Sequence, residues 1–391
     1  MTAHMLGKAA QAAPASRNEL KPSRSILDRA LDKQLELTGL VLLAILSGNA
    51  LSTPEPTLST ELTLSPSYHY PSIFSRFLHL SFRKPDTDLY YKGRDDAFYI
   101  FWWVIAFWFL RDALMRWAYE PLAKKLGIRQ KKAVVRFAEQ AWALTYCIFS
   151  FSLGLYINQT SNYRNLNTIH FWKDYPHDAL PALTKWYYLV ECAFWIQQII
   201  VLNLEARRKD YVQMFAHHVI TVILMSFSYV LNWTRIGNTI LCTMDFSDIF
   251  FPLAKLFKYT GNERAADCTF AVFLVSWIAT RHVIFGRILW AVLTEPQTVL
   301  EYAYRPQDGY FFSRNVQLAF ALLIGALQLI MYIWLFMIFR VLYGMMRGRP
   351  AEDVRSDDED DGEDEVEEEN GGEKSGPTTN GSGERERKKD R

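Results

Sequence analysis

The sequence predicts an all-α polytopic membrane protein with about eight transmembrane helices and disordered polar ends. Half of the 391 residues are hydrophobic and 15% are aromatic, yet the formal net charge is only +1. That average conceals a segregation, because charged residues are concentrated at the two ends and between long apolar runs. A span of the bilayer core needs about 20 predominantly apolar residues, and eight runs approach or exceed this length.

Each apolar run is interpreted as one membrane span. In chain order the runs are Leu37–Leu51, Ala97–Leu110, Ala138–Ile157, Trp186–Leu204, Tyr211–Leu231, Ile236–Phe257, Cys268–Leu293 and Val316–Met345. The first two are short for a span and the last is long. Arg111 and Asp112 follow the second run and can extend it by reaching towards water. Seven spans is the main alternative to eight.

Basic residues indicate the orientation, because short cytoplasmic loops are enriched in Lys and Arg. Basic clusters lie in the N-terminal segment and after the second, fourth, sixth and eighth runs. With eight spans, these clusters all lie on one side, so we predict that both termini are cytosolic. The segment 52–96 departs from this pattern, since it carries five basic residues on the predicted lumenal side.

The two ends have compositions that cannot bury enough apolar surface to fold. Residues 1–36 do not resemble a cleavable signal peptide, so the first apolar run is interpreted as a membrane anchor. Ser356 precedes an acidic block and resembles an acidophilic kinase site, with an unmodified solubilising tail as the alternative. The terminal Lys388-Lys389-Asp390-Arg391 resembles a dilysine retrieval signal and indicates the endoplasmic reticulum membrane.

Cysteines and sequons contribute two smaller predictions. The four cysteines lie within or beside apolar runs without CxxC spacing, so no disulfide framework is predicted. Asn158 is the one sequon that the predicted topology places in the lumen with room from the membrane. It is therefore a candidate glycosylation site.

The stretch from His217 to Lys258 carries ionisable residues inside two adjacent apolar runs. Such residues are costly in a bilayer and are a functional hypothesis by default. At about 100° per residue, one face of the first helix carries His218, Thr221, Ser228 and Asn232. His217 lies at the flank of this face. One face of the second helix has Lys255 at its edge and consists of Asn238, Cys242, Asp245 and Asp248. Two faces too polar for lipid should face each other and enclose a pocket.

Three interpretations of this pocket compete. A single buried histidine is more often a hydrogen-bonded structural residue than a catalyst. Adjacent histidines opposite two carboxylates favour chemistry instead. A metal site is the third interpretation, since His and Asp are good ligands. The HxxHH-type clusters of diiron membrane desaturases are missing from the sequence, so no metal is predicted.

The stretch HHVITVILMSFSYVLNWTRIGNTILCTMDFSDIFFPLAKLFKY resembles the signature of the ceramide synthases, the acyltransferase branch of the TLC-domain membrane proteins. The matching positions are His217, His218, Thr221, Ser228, Tyr229, Asn232, Arg235, Gly237, Asp245, Asp248 and Lys255. The resemblance extends over residues 132–347 and includes RFAEQAWALTYC and the pair Arg281-His282. Met244 stands where animal members usually have His, and in this the chain resembles the fungal members.

The resemblance and the hydropathy together divide the chain into four parts. These are a cytosolic segment 1–36, two membrane spans with their loops over 37–131, a TLC acyltransferase domain over 132–347 and a disordered acidic cytosolic tail over 348–391. The resemblance implies that six helices of the TLC domain form a barrel, with the first two spans outside it.

The activity implied by the resemblance is transfer of a fatty acyl group from acyl-CoA to the amine of a sphingoid base, dihydrosphingosine or phytosphingosine. No cofactor is expected, because acyl-CoA is a substrate. Membrane lipid is a further partner, the resemblance allows a small single-span regulatory subunit and a homodimer, and no nucleic acid is expected. The alternative is a non-catalytic TLC-domain protein that binds or translocates lipid.

The chemistry assigns roles to these residues. His217 or His218 would act as general base, or as nucleophile through an acyl-imidazole. Asp245 and Asp248 would orient that imidazole or hold the ammonium of the amine. Arg281 is either a site residue or a structural partner, and a structural role is slightly favoured. The supporting or substrate-contacting residues are Thr221, Ser228, Tyr229, Asn232, Arg235 and Lys255.

Chain-length selection should lie far from the reacting carbonyl, since each methylene buried contributes about 0.8 kcal/mol. The predicted lumenal loop Thr294–Arg314 would close the tail chamber with aromatic residues. These are Tyr302, Tyr304, Tyr310, Phe311 and Phe312. An aromatic belt at the membrane interface is the alternative for the same residues.

Overall fold

The computed structural model describes residues 33–52, 72–204 and 209–347. The predictions for the polar ends, including Ser356 and the terminal dilysine, lie outside these residues.

Eight long helices follow one another along the described chain. They are α1 (Gln34–Leu51), α2 (Asp96–Lys125), α3 (Lys131–Thr160), α4 (Ala182–Leu204), α5 (Tyr211–Val230), α6 (Thr234–Tyr259), α7 (Glu263–Thr294) and α8 (Arg314–Met346). Seven of them, all except α6, are long and apolar enough to cross a membrane. The chain is therefore an all-α polytopic membrane protein.

Helix α6 has the length of a span but a more polar composition. Its 26 residues extend about 39 Å, against a hydrocarbon core of about 30 Å. It carries the paired aspartates, and Pro252 lies inside it, where a backbone hydrogen bond is lost. A helix this polar needs protein neighbours on several sides, and α3 and α7 pack closely against it.

Two helices contain a π-helical turn, a feature that often accompanies functional sites. In α2 the turn spans Met115–Tyr119, and in α7 it spans Ala279–Ile284. The turn in α7 contains Arg281, which is buried near the middle of its span.

Six helices contact one another in a circuit. Along it, α3 packs against α6, α6 against α7, α7 against α8, α8 against α5, α5 against α4, and α4 against α3. Helix α2 packs on α4 outside the circuit, and α1 packs on α2. The first two helices thus lie outside the circuit, while the domain division and the closed six-helix barrel stay predictions.

Four connecting segments meet at one end of the helices, which we call the loop face: residues 79–95, 161–181, 231–233 and 294–313. Strand β1 (Leu89–Tyr91) pairs antiparallel with β2 (Ala179–Pro181) across two of them. Tyr175 connects the other two, donating its hydroxyl to Leu231 O and accepting the amide N–H of Phe311. The short helix Ser75–Leu78 and the 3₁₀ turns Arg164–Leu166, Thr168–Phe171, Pro296–Thr298 and Pro306–Asp308 complete these connections.

The structure shows the partners of two basic residues in the segment before α2, which departed from the charge pattern. Lys92 donates to Asn232 Oδ1 at 2.6 Å and to His177 O at 3.1 Å. Burial lowers the pKa of Lys92 to about 7, with nearby Asp178 opposing the shift. Arg83 pairs with Asp88 at 2.9 Å. Lys92 is therefore engaged within the protein, whereas the pair of Arg83 and Asp88 lies at the surface.

Candidate active site

A cavity of about 690 Å³, its open mouth included, lies between α4, α5, α6, α7 and α8. Much of its wall is apolar and includes Leu224, Met225, Ile240, Ile324, Leu327 and Met331. The polar residues on its wall are Tyr188, His217, Thr221, Ser228, Asp248 and Arg281.

The two histidines of α5 occupy different positions. His217 lines the cavity, and its ring packs against those of Trp195 and Trp334, with centroids 5.5 and 5.3 Å away. His218 does not line it, and its Nδ1 lies 2.6 Å from Met214 O. Because a carbonyl oxygen only accepts, Nδ1 of His218 carries the hydrogen. Nδ1 of His217 is buried and has no hydrogen-bond partner among the described residues.

The face of α5 that lines the cavity is rotated from the one expected. It has His217 at its centre and continues one turn later with Thr221, then with Leu224 and Ser228. The sequence pattern had instead placed His218 in the stripe and His217 at its flank. The reason is that polar residues of α5 have partners in two places, the cavity and the loop face, so polarity alone does not define one stripe.

The two aspartates of α6 also separate. Asp248 lines the cavity, and its Oδ1 pairs with Arg281 Nη2 at 2.5 Å. Asp245 does not line the cavity and accepts a hydrogen bond from Ser150 of α3, with Oγ to Oδ2 at 2.5 Å. The carboxylates three residues apart therefore belong to different environments.

A buried acidic residue that was not expected from the sequence lies behind Asp245. Oε1 of Glu191 on α4 accepts a hydrogen bond from the Tyr146 hydroxyl at 2.8 Å and lies 2.5 Å from Ser150 Oγ. The Ser150 hydroxyl has one hydrogen and two carboxyl neighbours, so it donates to one of them at a time. Ser150 therefore bridges Glu191 and Asp245. An available signal was the ionisable residue inside the apolar run Trp186–Leu204.

Arg281 contacts α6 through several atoms. Nη2 donates to Met244 O at 3.1 Å as well as to Asp248, and Nη1 lies 2.5 Å from Met244 Sδ. The guanidinium also lies over the Trp277 ring, 4.5 Å from its centroid. Arg281 is thus both a residue of the cavity wall and a structural contact between α7 and α6.

The supporting residues divide between the cavity and other places. Thr221 and Ser228 line the cavity, and Ser228 hydrogen-bonds Tyr188. Lys255 lies over the Phe251 ring at 4.6 Å and does not line the cavity. The other three, which do not line the cavity, are Tyr229, Asn232 and Arg235.

These three residues hold the loop face together. Tyr229 donates to Asp96 Oδ2 at 2.8 Å, and Arg235 donates to His170 O at 2.7 Å. Asn232 has a φ of 64°, a left-handed conformation that Asn tolerates better than most residues, and donates to Gly309 O at 2.9 Å. The geometry gives them contacts within the protein, and a contact with substrate stays a prediction.

None of the five aromatic residues of the loop lines the cavity directly. The end of the cavity is formed by Trp233 and Phe320, whose rings stack with centroids 4.2 Å apart. Phe312 is fully buried behind them, 6.4 Å from the Trp233 ring. Tyr310 is also buried, Phe311 is partly buried, and Tyr302 and Tyr304 are exposed. The loop therefore supports the end of the cavity from behind.

Two further predictions concern single residues and metal. Asn158 is buried in the last turns of α3, and its Nδ2 donates to Thr239 at 3.3 Å. Glycosylation of Asn158, which stays a prediction, would require this contact to break. Within residues 33–52, 72–204 and 209–347 no group of three His, Cys, Asp or Glu side chains is placed to hold a metal ion.

Comparisons with known proteins place this geometry in context. The TLC domain model matches residues 136–340. The sphingosine N-acyltransferase lag1 of Schizosaccharomyces pombe is 40% identical over 284 residues, 72% of this chain and 72% of its own. The ceramide synthase FUM18 of Gibberella moniliformis is 34% identical over 337 residues, 79% of this chain and 76% of its own. The ceramide synthase LAG1 of Saccharomyces cerevisiae is 37% identical over 289 residues, which are 72% of this chain and 69% of its own.

Proposed function

The chain belongs to the ceramide synthase family of TLC-domain proteins, and we propose from this premise that it transfers a fatty acyl group from acyl-CoA to the amine of a sphingoid base. The observation that carries the proposal is the cavity, whose apolar wall includes His217 and the Asp248–Arg281 pair. An apolar wall suits two lipid tails, and a few polar groups suit one reacting centre.

The reaction requires proton transfer as well as acyl transfer. The amine nitrogen attacks the thioester carbon, a C–N bond forms, and the C–S bond breaks. A sphingoid base that arrives as an ammonium loses two protons, of which one ends on the sulfur of CoA and the other reaches solvent. A base must therefore lie beside the nitrogen, and hydrogen-bond donors must face the developing oxyanion.

His217 is the residue that we assign to this proton transfer. It is the histidine on the cavity wall, and the buried position of its Nδ1 leaves Nε2 as the atom for substrate. Imidazole can act near neutral pH either as general base or as nucleophile through an acyl-imidazole. His218, whose Nδ1 is bound to the backbone, would pack beside it as a support.

The remainder of the cavity would hold the acyl tail. From His217 the wall of α5 continues to Ser228, about 16 Å further at 1.5 Å per residue. The tail would point towards Trp233 and Phe320, the stacked rings at the far end. Their position would give a physical limit to chain length that the reacting carbonyl cannot provide.

The location of the protein is part of the proposal. We place it in the endoplasmic reticulum membrane with both termini in the cytosol and the loop face in the lumen. The meeting of four connecting segments at one face supports this topology, because it requires the helices between them to cross in pairs. The four-part domain division, the regulatory subunit and the homodimer belong to the same proposal, and the latter two rest on family resemblance alone.

The test is an assay of the detergent-solubilised protein with a fatty acyl-CoA and dihydrosphingosine. We expect free thiol and ceramide to appear together in equal amounts, with each substrate required for the other to react. A non-catalytic lipid-binding protein would bind one or both lipids and release no thiol, and that result would overturn the proposal.

A further inference from the structure

The Asp248–Arg281 pair is asymmetric in its exposure to the cavity. The side chain of Asp248 is 39% exposed, whereas that of Arg281 is 4% exposed. Only Oδ1 of Asp248 has a partner among the described residues, and this partner is Arg281. The second oxygen, Oδ2, is left with an unused acceptor beside the cavity.

Arg281 is held in place independently of Asp248. Its contacts with Met244 O, Met244 Sδ and the Trp277 ring fix the plane of the guanidinium. The π-helical turn Ala279–Ile284 sets the backbone from which it projects. A planar, anchored guanidinium can therefore define the orientation of a carboxylate whose side chain is partly exposed.

The charged groups on the cavity wall indicate what the oriented carboxylate of Asp248 can bind. An isolated carboxylate in an apolar cavity is unfavourable, and Arg281 compensates its charge. The other carboxyl group of α6, Asp245, is already engaged with Ser150 away from the cavity. Asp248 is thus the carboxylate on the cavity wall that can meet a positively charged or hydrogen-bond-donating group of a substrate.

We propose that Arg281 is a positioning residue that holds Oδ1 of Asp248, so that Oδ2 accepts a hydrogen bond from the amine of the sphingoid base. This inference rests on the proposed function and deepens it, because it assigns the amine to one oxygen of one carboxylate. Acyl-CoA has no corresponding cationic group near its thioester, so its binding does not need this oxygen.

The test is the steady-state kinetics of Arg281→Lys with each substrate varied in turn. Lysine keeps the charge but cannot reproduce the planar fork. We expect the KM for dihydrosphingosine to rise about tenfold or more, the weight of one charge-assisted hydrogen bond, with the KM for acyl-CoA within twofold of wild type. Arg287→Lys is the matched control, since Arg287 pairs with Glu295 away from the cavity wall and should leave both constants unchanged.

A second measurement separates positioning from a purely structural role. Asp248→Asn should raise the same KM, and Arg281→Lys added to it should change that constant by less than twofold, because the two residues act through one oxygen. Equal changes in both KM values, or full additivity of the two substitutions, would overturn the inference. Wild type that releases no thiol would instead overturn the proposed function, so the two failures are distinguishable.

Discussion

Ser150 on α3 and Asp245 on α6 are joined by a hydrogen bond of 2.5 Å between Oγ and Oδ2. The same hydroxyl lies 2.5 Å from Glu191 Oε1, so three helices meet at one oxygen atom. The Ser150 hydroxyl has a single hydrogen for these two carboxyl oxygens. A buried acceptor that loses its donor costs about 1–3 kcal/mol, so this small residue should matter for stability.

We predict that Ser150→Ala destabilises the folded protein by about 1–3 kcal/mol, because it leaves two buried carboxyl groups without their bridge. Thermal unfolding in detergent measures the effect. Ser152→Ala is the matched control, since Ser152 is on the same helix and its hydroxyl donates to Ile148 O within that helix. Equal melting temperatures for the two variants would contradict the bridging role of Ser150.

The position of His217 on the cavity wall leads to a prediction for catalysis. His217→Ala should lower acyl transfer about 10²-fold or more, the usual weight of a positioned base or nucleophile. The double variant with His218→Ala should lose no more, because residues that act as a unit are not additive. Thiol release by purified protein is the measurement.

His170→Ala provides the control for the histidine variants, because the hydrogen bonds of His170 within the described residues are those of its backbone, whose N–H donates to Asn167 O and whose carbonyl accepts from Arg235 on the loop face. It should retain wild-type turnover. If the well-expressed His217 variant kept most of its activity, the assignment of the reacting histidine would be wrong.

The stacked pair at the end of the cavity predicts how chain length is selected. Phe320→Ala should lengthen the chamber and favour longer acyl chains, each additional methylene in apolar contact contributing about 0.8 kcal/mol, or roughly fourfold in relative kcat/KM. Competition between acyl-CoA chains of different length measures the shift. The sphingoid-base requirement should not change.

Tyr304→Ala is the control for the chain-length prediction, since Tyr304 is 62% exposed on the loop and lies outside the cavity wall. Exchange of the whole loop should still alter the profile, because Phe312 packs behind Trp233. An active Phe320→Ala variant with the wild-type profile would place selectivity elsewhere in the cavity.

Gly237 lies against the hydroxyl of Tyr188, so that an added Cβ would overlap it. Gly237→Ala should therefore displace Tyr188, break its hydrogen bond with Ser228 and lower both stability and activity. Gly325→Ala is the matched control on α8, where a Cβ meets nothing within 4 Å. In the helix interior it should be neutral or stabilising by up to about 1 kcal/mol. A Gly237 variant as stable as the Gly325 variant would show that Tyr188 can move at little cost.

Sequence patterns indicated the membrane class and the order of the helices. Run length and composition are local properties, and each long apolar run became a helix of α1 to α8. The stretch with His217, His218, Asp245 and Asp248 was also evident locally, because ionisable residues in apolar runs are unusual. The family was evident from the same residues.

The rotation of each helix about its axis was decided only by the tertiary structure. Periodicity shows which residues share a face, but it does not show which face meets the cavity. Tyr229 and Asn232 resemble cavity residues in sequence, and their partners are Asp96, Lys92 and Gly309, between 77 and 140 positions away in the chain. Such distant contacts turned these residues to the loop face.

The same reason explains what the sequence left open or missed. Two adjacent histidines are equivalent in a pattern, and in the structure His217 lies on the cavity wall against Trp334 while Nδ1 of His218 is bound to Met214 O. Glu191 and Ser150 carry no local sign of being partners, because they lie 41 positions apart on different helices. Residue chemistry determined what the site contains, and helix packing decided which groups face the substrate, because only packing brings distant side chains within hydrogen-bond distance.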